Sequence, residues 1–210
     1  MSTLSFDGLF KLMKSRRSVR RFLADPVSQG DLEQLFIAAS TAPSGGNKQN
    51  WFFIAVKDKA VKEKLLAAVV AKADEFISRI DSSTAKKEFR AYTQFYTFFT
   101  QAPVVIAVIK KPYDSLAARI MERYGMANAR RSSADIQGPA AAIQNLLLAA
   151  HSLGYGACWM TGPMIAKEDL EAILGIEKND ELMALIPVGR PAGETVDTKR
   201  KDVKEIYKII

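Results

Sequence analysis

The sequence predicts an α+β fold, because segments with helical periodicity alternate with short apolar runs of strand length. Near the start of the chain, Phe6, Leu9, Phe10 and Met13 recur at the spacing of one helix face. Three apolar runs have the length and composition of buried strands: 51–56, 104–109 and 182–188. With 210 residues and a hydrophobic content of 48%, the chain is long enough to bury one substantial core.

The composition is that of a folded protein with an excess of positive charge. Charged residues make up 25% of the chain, and the formal net charge is +7 at pH 7. Such a charge attracts nucleotides, flavin phosphates or nucleic acid without distinguishing among them. The single cysteine excludes an intrachain disulfide, and the single histidine argues against a zinc site of the usual type. The cysteine content leads us to expect a cytoplasmic protein. We also expect neither an export signal nor a membrane-spanning helix.

Further helices are predicted on both sides of the first strand. Ser28 and Asp31 resemble a capping box that opens a second helix ending near Thr41. Residues 59 to about 100 have helical character and end in a dense group of aromatic side chains, which is typical of a core or an interface. The first strand is therefore expected to lie between two helical regions.

The second half of the chain repeats this alternation. An almost entirely apolar helix is predicted over 139–153, with Gly154 as its stop. A strand at 156–160 and a helix at 167–174 are predicted to follow. The final segment, 192–210, joins a polar stretch to several apolar residues, and we expect it to pack against another surface, such as a second subunit.

A basic turn is predicted after the first helix. It contains four arginines with a serine among them: Arg16, Arg17, Ser18, Arg20 and Arg21. Guanidinium groups match phosphate oxygens in geometry, and crowding them is costly unless an anion neutralises the group. The carbonyl end of the preceding helix also favours cations. The cluster predicts a site for a phosphorylated ligand, and a solvated basic turn or a nucleic-acid patch is the alternative that it leaves open.

A loop of small and polar residues precedes the first strand. Its small residues, Ser44, Gly45 and Gly46, would let the backbone approach a planar ligand, and Asn47 offers both a donor and an acceptor. Taken alone, this composition is more typical of a plain turn, and its position between the arginine cluster and Trp51 favours a binding loop. Neither this loop nor the glycines after position 153 match a Walker loop or a dinucleotide fingerprint.

Together these features resemble the FMN-dependent nitroreductase family. The resemblance is carried by RRSVRRF at 16–22, APSGGNKQNW at 42–51 and GYGACWMTGP at 154–163, with 188–191 and 199–201 closing the pattern. It covers essentially the whole chain, as one FMN-binding domain over 1–210. It implies a three-layer α-β-α fold whose central mixed, mainly antiparallel sheet is flanked by helices, and a homodimer with a domain-swapped C-terminal tail.

The resemblance also implies that FMN lies at the subunit interface. The residues expected to bind it are Arg16, Arg17, Ser18, Arg20, Pro43, Ser44, Gly45, Asn47, Met160, Thr161, Gly162 and Arg200. Arg16 and Ser18 would contact the phosphate or ribityl chain, and Arg20 would lie near the pyrimidine edge, where its charge stabilises reduced flavin. The loop would reach the flavin of the other subunit, and a main-chain N–H of 160–162 would donate to flavin N5.

Departures from the family pattern and one uncertain alignment leave alternatives open. The family usually has Gln-Pro-Trp where this chain has Gln49-Asn50-Trp51, and many relatives carry a Glu near Thr161. Lys199 or Lys201 can take the phosphate role expected of Arg200. Residues 57–135 match only in general character, and we expect 110–135 to contain the lid that decides the substrate.

The implied activity is that of an NAD(P)H-dependent FMN oxidoreductase. Hydride would pass from NADH or NADPH through FMN to nitroaromatics, quinones or similar planar acceptors by a ping-pong mechanism, with no catalytic side chain, no metal and no nucleic-acid or membrane partner. Flavin reduction, reductive dehalogenation and flavin fragmentation are alternatives on the same fold. A basic nucleic-acid-binding protein and a flavin-binding protein without turnover are alternatives of other classes.

Overall fold

A four-stranded antiparallel sheet forms the centre of the protein. The computed structural model describes residues 5–126, 133–193, 195 and 197–210. Within them the strands are β1 (Trp51–Val56), β2 (Val104–Lys110), β3 (Gly156–Ala157) and β4 (Glu181–Gly189). Their order across the sheet is β1-β2-β4-β3, and each neighbouring pair is antiparallel.

Seven α-helices surround the sheet in the described part of the chain. They are α1 (Phe6–Ser15), α2 (Gln29–Ser40), α3 (Lys59–Ser78), α4 (Ser83–Thr97), α5 (Leu116–Arg123), α6 (Ala134–Ser152) and α7 (Lys167–Leu174). The helical region predicted over 59 to about 100 contains two α-helices, α3 and α4. The second begins after Ser82, whose side chain caps it by accepting from the Ala85 N–H. None of the described helices is long and apolar enough to cross a membrane.

Strand β2 shows how the layers are arranged. Val104, Ile106 and Val108 are buried with α2 and α6 on one face of the sheet. The intervening residues, Val105 and Ala107, are buried on the other face with side chains of α3 and α7. Because successive side chains of a strand point to opposite faces, the sheet lies between two helical layers. The α+β fold in three layers is confirmed.

Two predicted strands differ from the structure in burial or length. Strand β1 is an edge strand, and Phe52 on it is 52% exposed, whereas a buried strand was expected. Strand β3 has two residues, where 156–160 was predicted. Residue 158 faces Pro187, which has no N–H to continue the ladder, and the pairing resumes only at Met160, whose N–H donates to Leu185 O at 3.1 Å.

The expected capping box at the start of α2 is only half formed. Ser28 Oγ accepts from the Asp31 N–H at 3.0 Å, as predicted. The Asp31 carboxylate instead accepts from the Tyr155 hydroxyl at 2.7 Å. The helix cap is therefore tied to the turn before β3.

Helix α1 leaves its apolar face exposed. Phe6 is 73% exposed, and Leu9, Phe10 and Met13 are also exposed along the same helix. The end of the C-terminal tail is exposed as well, with Ile210 fully open. Apolar surface of this kind is typical of a protein that packs against another copy or partner.

Candidate functional site

The predicted basic turn is an extended strand-like segment at the edge of the sheet, called here the arginine segment (residues 16–23). The Val19 N–H donates to Ala157 O at 3.0 Å, and Ser18 pairs with Ala157 in a parallel bridge. A Cβ on Gly156 would lie 2.5 Å from a Val19 methyl, so only glycine allows this approach. The segment therefore holds its arginines beside β3 through backbone contacts.

The even-numbered side chains of this segment share one side. Burial raises the pKa of the Cys158 thiol, while the charges of Arg20 and Arg16 and a hydrogen bond with Ser18 act in the opposite direction. All three side chains therefore lie close to Cys158, as the alternation of an extended chain requires. The structure brings these three predicted site residues together.

Arg16 is a half-buried cation with no acceptor for its guanidinium among the described residues. Its pKa is lowered by burial and by the neighbouring charges of Arg200 and Arg17. Arg16, Ser18, Arg20 and Arg200 line a cavity of about 440 Å³. Unpaired guanidinium groups that converge on a cavity of this size fit the phosphate of a small cofactor.

Arg200 is the basic tail residue that the structure places at this cavity. Lys199 and Lys201 are not among the residues that line it. They lie with Arg200 along a shallower surface cavity. The alternative in which either lysine replaces Arg200 is not favoured by this placement.

Arg17 belongs to the same cavity wall but is already engaged within the chain. It forms an ion pair with Asp197, and it donates to Arg16 O at 2.9 Å and to Lys14 O. These bonds join the end of α1 to the tail that carries Arg200. Arg17 is therefore engaged in bonds within its own chain, and its expected role toward the phosphate stays a prediction.

The polar loop (residues 43–50) is held in a strained conformation. Gly46, Asn47 and Gln49 have φ values of 59°, 53° and 47°. Glycine and asparagine adopt this left-handed region readily, whereas glutamine rarely does. Ser44 Oγ accepts from the Gln49 N–H at 2.9 Å, and the Gln49 side chain donates to Asn47 Oδ1 at 3.2 Å. Strain that is held by specific hydrogen bonds concentrates at functional sites.

Asn50 explains one departure from the family pattern. Pro139 lies inside α6 and has no N–H, so the Asp135 carbonyl lacks its helical donor. The Asn50 side chain, which is buried, donates to that carbonyl at 2.9 Å. A Cβ on Gly138 would lie 3.1 Å from Asn50 Oδ1, so the helix leaves room for this side chain. This bond also explains why α6 begins at residue 134, before the predicted start at 139.

The polar loop does not line the arginine cavities of its own chain. Pro43, Ser44, Gly45 and Asn47 are absent from the linings of both cavities that contain Arg16. A Cβ on Gly45 would overlap the Tyr113 hydroxyl, so the space beside Gly45 is already occupied by a side chain of the same subunit. Within one subunit, the structure therefore does not bring the two predicted groups of cofactor ligands together.

The third group of predicted cofactor ligands, residues 160–162, follows β3. Met160 is buried, and its N–H is donated to Leu185, which leaves Thr161 and Gly162 as the candidates for a free amide. A Cβ on Gly162 would lie 2.6 Å from the Tyr96 side chain, so a larger residue there would displace α4.

The sequence analysis missed two hydroxyl groups that line the arginine cavity. Thr195 and Thr198 line the cavity with Arg200. Their only signal in the sequence was the polar stretch before the basic triplet at 199–201.

The predicted lid, 110–135, includes residues 127–132, which lie outside the described residues.

Comparison with known proteins identifies the family. The family model described as Nitroreductase family matches residues 13–190. Iodotyrosine deiodinase of Haliscomenobacter hydrossis is 32% identical over 199 residues, which cover 92% of this chain and 84% of that protein. The match to a relative of this identity and coverage agrees with the family model.

Solved structures share the fold. A BluB-like flavoprotein from Clostridium difficile 630 superposes with a TM-score of 0.88 at 32% identity, covering 96% of this chain and 98% of that one. An FMN-dependent nitroreductase from Clostridium difficile R20291 has a TM-score of 0.67 at 22% identity, with 95% and 98% covered. From the family match and these neighbours, the chain belongs to the nitroreductase family and is an oxidoreductase.

Proposed function

We propose that this protein binds FMN and passes hydride from NADH or NADPH to planar acceptors such as nitroaromatics or quinones. The observation that carries the proposal is the half-buried Arg16, which lies beside Arg17 and Arg200 without an anionic partner among the described residues. A bound phosphate would supply that partner. The whole chain, 1–210, is taken as one domain built for this purpose.

The phosphate end of the site consists of Arg16, Arg200 and Ser18. The two guanidinium groups line one cavity, and the Ser18 hydroxyl lies on the same side of the arginine segment. Because guanidinium groups bind phosphate oxygens in pairs, this set would fix the cofactor by its charged end. The donor set therefore fits the phosphate of FMN.

We expect Arg20 to act on the ring end of the cofactor. Its only described hydrogen bond is a long one, 3.4 Å to Ser18 O, so its guanidinium is available to a ligand. When bound, FMN supplies the chemistry of accepting and donating hydride. A cation beside the pyrimidine edge would stabilise the negative charge of the reduced form, and Thr161 or Gly162 would orient the ring through a main-chain N–H.

A homodimer would complete the site. The polar loop does not line the arginine cavities of its own chain, so its preformed Asn47 and Ser44 groups are available to the cofactor of a partner. The exposed apolar residues of α1 and of the tail, including Phe6 and Ile206, offer surface for such an assembly. In this arrangement the part of the tail beyond Arg200 would exchange between subunits, because Arg200 lines the cavity of its own chain.

The visible absorption spectrum of the purified protein tests the cofactor assignment. We expect flavin bands that bleach when NADH or NADPH is added without oxygen, and that return when a nitroaromatic or quinone is added. A colourless protein that does not take up added FMN would show that the proposal is wrong. An obligatory ternary complex in steady-state kinetics would contradict the ping-pong scheme alone.

Reductive dehalogenation is the second candidate function. It is favoured by the 32% identity to an iodotyrosine deiodinase over most of both chains. In that reaction an aryl halide and NAD(P)H would give the arene, halide ion and NAD(P)⁺, because the hydride replaces the halide at the ring carbon. Turnover of an iodophenol should be compared with turnover of a nitroaromatic at equal concentration, and the faster acceptor decides between the two functions.

A further inference from the structure

The last turn of α6 brings His151, the only histidine of the chain, to the start of the arginine segment. Its Nε2 lies 2.7 Å from Ser15 Oγ. His151, Ser15, Arg16 and Arg17 line a cavity of about 420 Å³, which shares both arginines with the cavity assigned to the phosphate. The proposed function makes no use of this imidazole.

The hydrogen bonding of Ser15 is compatible with both protonation states of the imidazole. Ser15 Oγ lies 2.7 Å from His151 Nε2 and 3.2 Å from Leu12 O. The hydroxyl can donate to a neutral Nε2, and it can accept from a protonated Nε2 while it donates to Leu12 O.

The charges around His151 are all on neighbouring elements. Burial lowers the pKa of His151, and the charges of Arg16 and Arg17 lower it further. Arg17 is paired with Asp197, whereas Arg16 has no described counter-charge. Tyr155, whose pKa is raised by burial, is the remaining titratable group of the cavity and is neutral. Arg16 is thus the charge that an arriving anion would compensate.

Building on the phosphate site proposed above, we propose that His151 is a positioning residue of that site and that its imidazole takes up a proton when a phosphate monoester binds at Arg16. The anion cancels the positive field at the imidazole and attracts its charged form. The bond between His151 and Ser15 can be kept in both protonation states, so the end of α1 keeps its position. Protonation adds a positive charge in the cavity that shares Arg16 and Arg17 with the phosphate cavity.

The sign of the pH dependence follows from linkage. The phosphate monoester loses charge below a pKa of about 6, which weakens binding by the arginines. Because the pKa of His151 would be higher in the FMN complex than in the free protein, the contribution of His151 to FMN binding grows as the pH falls. The gain is complete below the pKa of the free protein and is lost as the pH rises through the pKa of the complex. A rise of about one pKa unit corresponds to about tenfold tighter binding.

Proton NMR tests this directly, since one histidine gives one imidazole C–H pair. The resonance is titrated with pH in the FMN-free protein and in the FMN-saturated protein, and FMN binding is measured separately by quenching of flavin fluorescence. We expect the midpoint to lie higher in the complex. Quenching without a change of midpoint would overturn the role of His151 and leave the flavin site intact. Absence of quenching would overturn the flavin site and this inference with it.

A variant that keeps the hydrogen bond separates positioning from packing. His151→Gln retains a donor toward Ser15 but cannot titrate, and Ser152→Ala alters only a hydroxyl that donates to Ala149 O. FMN binding is followed by calorimetry in two buffers of different ionisation enthalpy, which counts protons taken up. We expect His151→Gln to take up fewer protons than the unaltered protein and Ser152→Ala to take up the same number. Equal uptake by all three proteins would contradict the proposal.

Discussion

The arginine segment and the polar loop are both expected to bind one cofactor, but the chain builds them in opposite ways. The arginine segment is electrostatically incomplete, since Arg16 and Arg200 crowd together without a described counter-charge. The polar loop is held by its own hydrogen bonds among Ser44, Asn47 and Gln49, and its only buried side-chain atom without a described partner is Asn50 Oδ1. The comparison teaches that the arginine segment needs an anionic ligand to relieve its charge repulsion, whereas the polar loop has its binding conformation before a ligand arrives.

The largest expected effect is on the arginine side. Arg16→Gln removes a charged phosphate donor, and we expect FMN to bind more weakly by about 1.5–3 kcal/mol, or about ten- to a hundredfold. The free energy of unfolding of the FMN-free protein should not fall, because the substitution also removes repulsion from Arg200. Fluorescence titration and urea unfolding measure the two quantities.

Arg79→Gln is the control for that experiment. Arg79 is an exposed arginine on α3 that pairs with Glu75, away from both arginine cavities. It should leave FMN affinity unchanged. If Arg16→Gln and Arg79→Gln bind FMN equally well, Arg16 has no phosphate role.

On the loop side the expected effect is on stability. Asn50→Ala leaves the Asp135 carbonyl without a donor beside Pro139, and a buried unpaired group costs about 1–3 kcal/mol. Urea unfolding of the FMN-free protein measures this loss. Gln29→Ala, which removes only an exposed hydrogen bond to Glu33, should change the free energy of unfolding much less. Equal values for the two variants would mean that the Asn50 bond contributes nothing.

Asn47→Gly separates the backbone conformation of the loop from the binding role of its side chain. Both glycine and asparagine accept the positive φ of residue 47, so we expect the free energy of unfolding to change by less than about 1 kcal/mol. FMN should be retained less well, because the side chain that Gln49 holds in place is gone. A variant that keeps full FMN affinity would show that the Asn47 side chain has no binding function.

The smallest expected effect concerns the ion pairs that anchor the start of α6. Hydrogen bonds from Lys110 and Lys167 hold the pKa of Glu181 near 2, below its ordinary value of 4.5, and Lys110 also pairs with Asp135. The lowered pKa stabilises the fold above about pH 4.5, and that contribution is lost as the pH falls toward 2. Glu181→Gln should cost less than about 1 kcal/mol at neutral pH, since the carboxylate is half exposed. The cost should disappear in acid unfolding curves near pH 2.

Elements set by local pattern could be predicted from the sequence. Helix α7 has the predicted bounds, 167–174, because its apolar spacing and its following Gly175 are both local signals. Strand β2 was found where a continuous apolar run predicted it, since both of its faces are buried. The arginines and Ser18 were recognised as a group for the same reason, because they are neighbours in the chain.

Features that depend on distant partners could not be predicted from the sequence. The arginine segment was expected to be a turn, but pairing with Ala157, far along the chain, makes it extended. Strand β3 ended early because the residue opposite Cys158 is Pro187, and α6 began early because Asn50 supplies the donor that Pro139 removes. In each case a single long-range contact overrides the local preference.

The bond between Asn50 and the Asp135 carbonyl makes two substitutions interdependent. A proline at position 50, as the family usually has, is compatible with this helix only if residue 139 regains an N–H, and Pro139 is compatible only with a donor at position 50. The effects of Asn50→Pro and Pro139→Ala should therefore not add, because each changes the cost of the other. Positions 50 and 139 are therefore a candidate epistatic pair, in which the residue tolerated in the loop depends on the residue present in the helix.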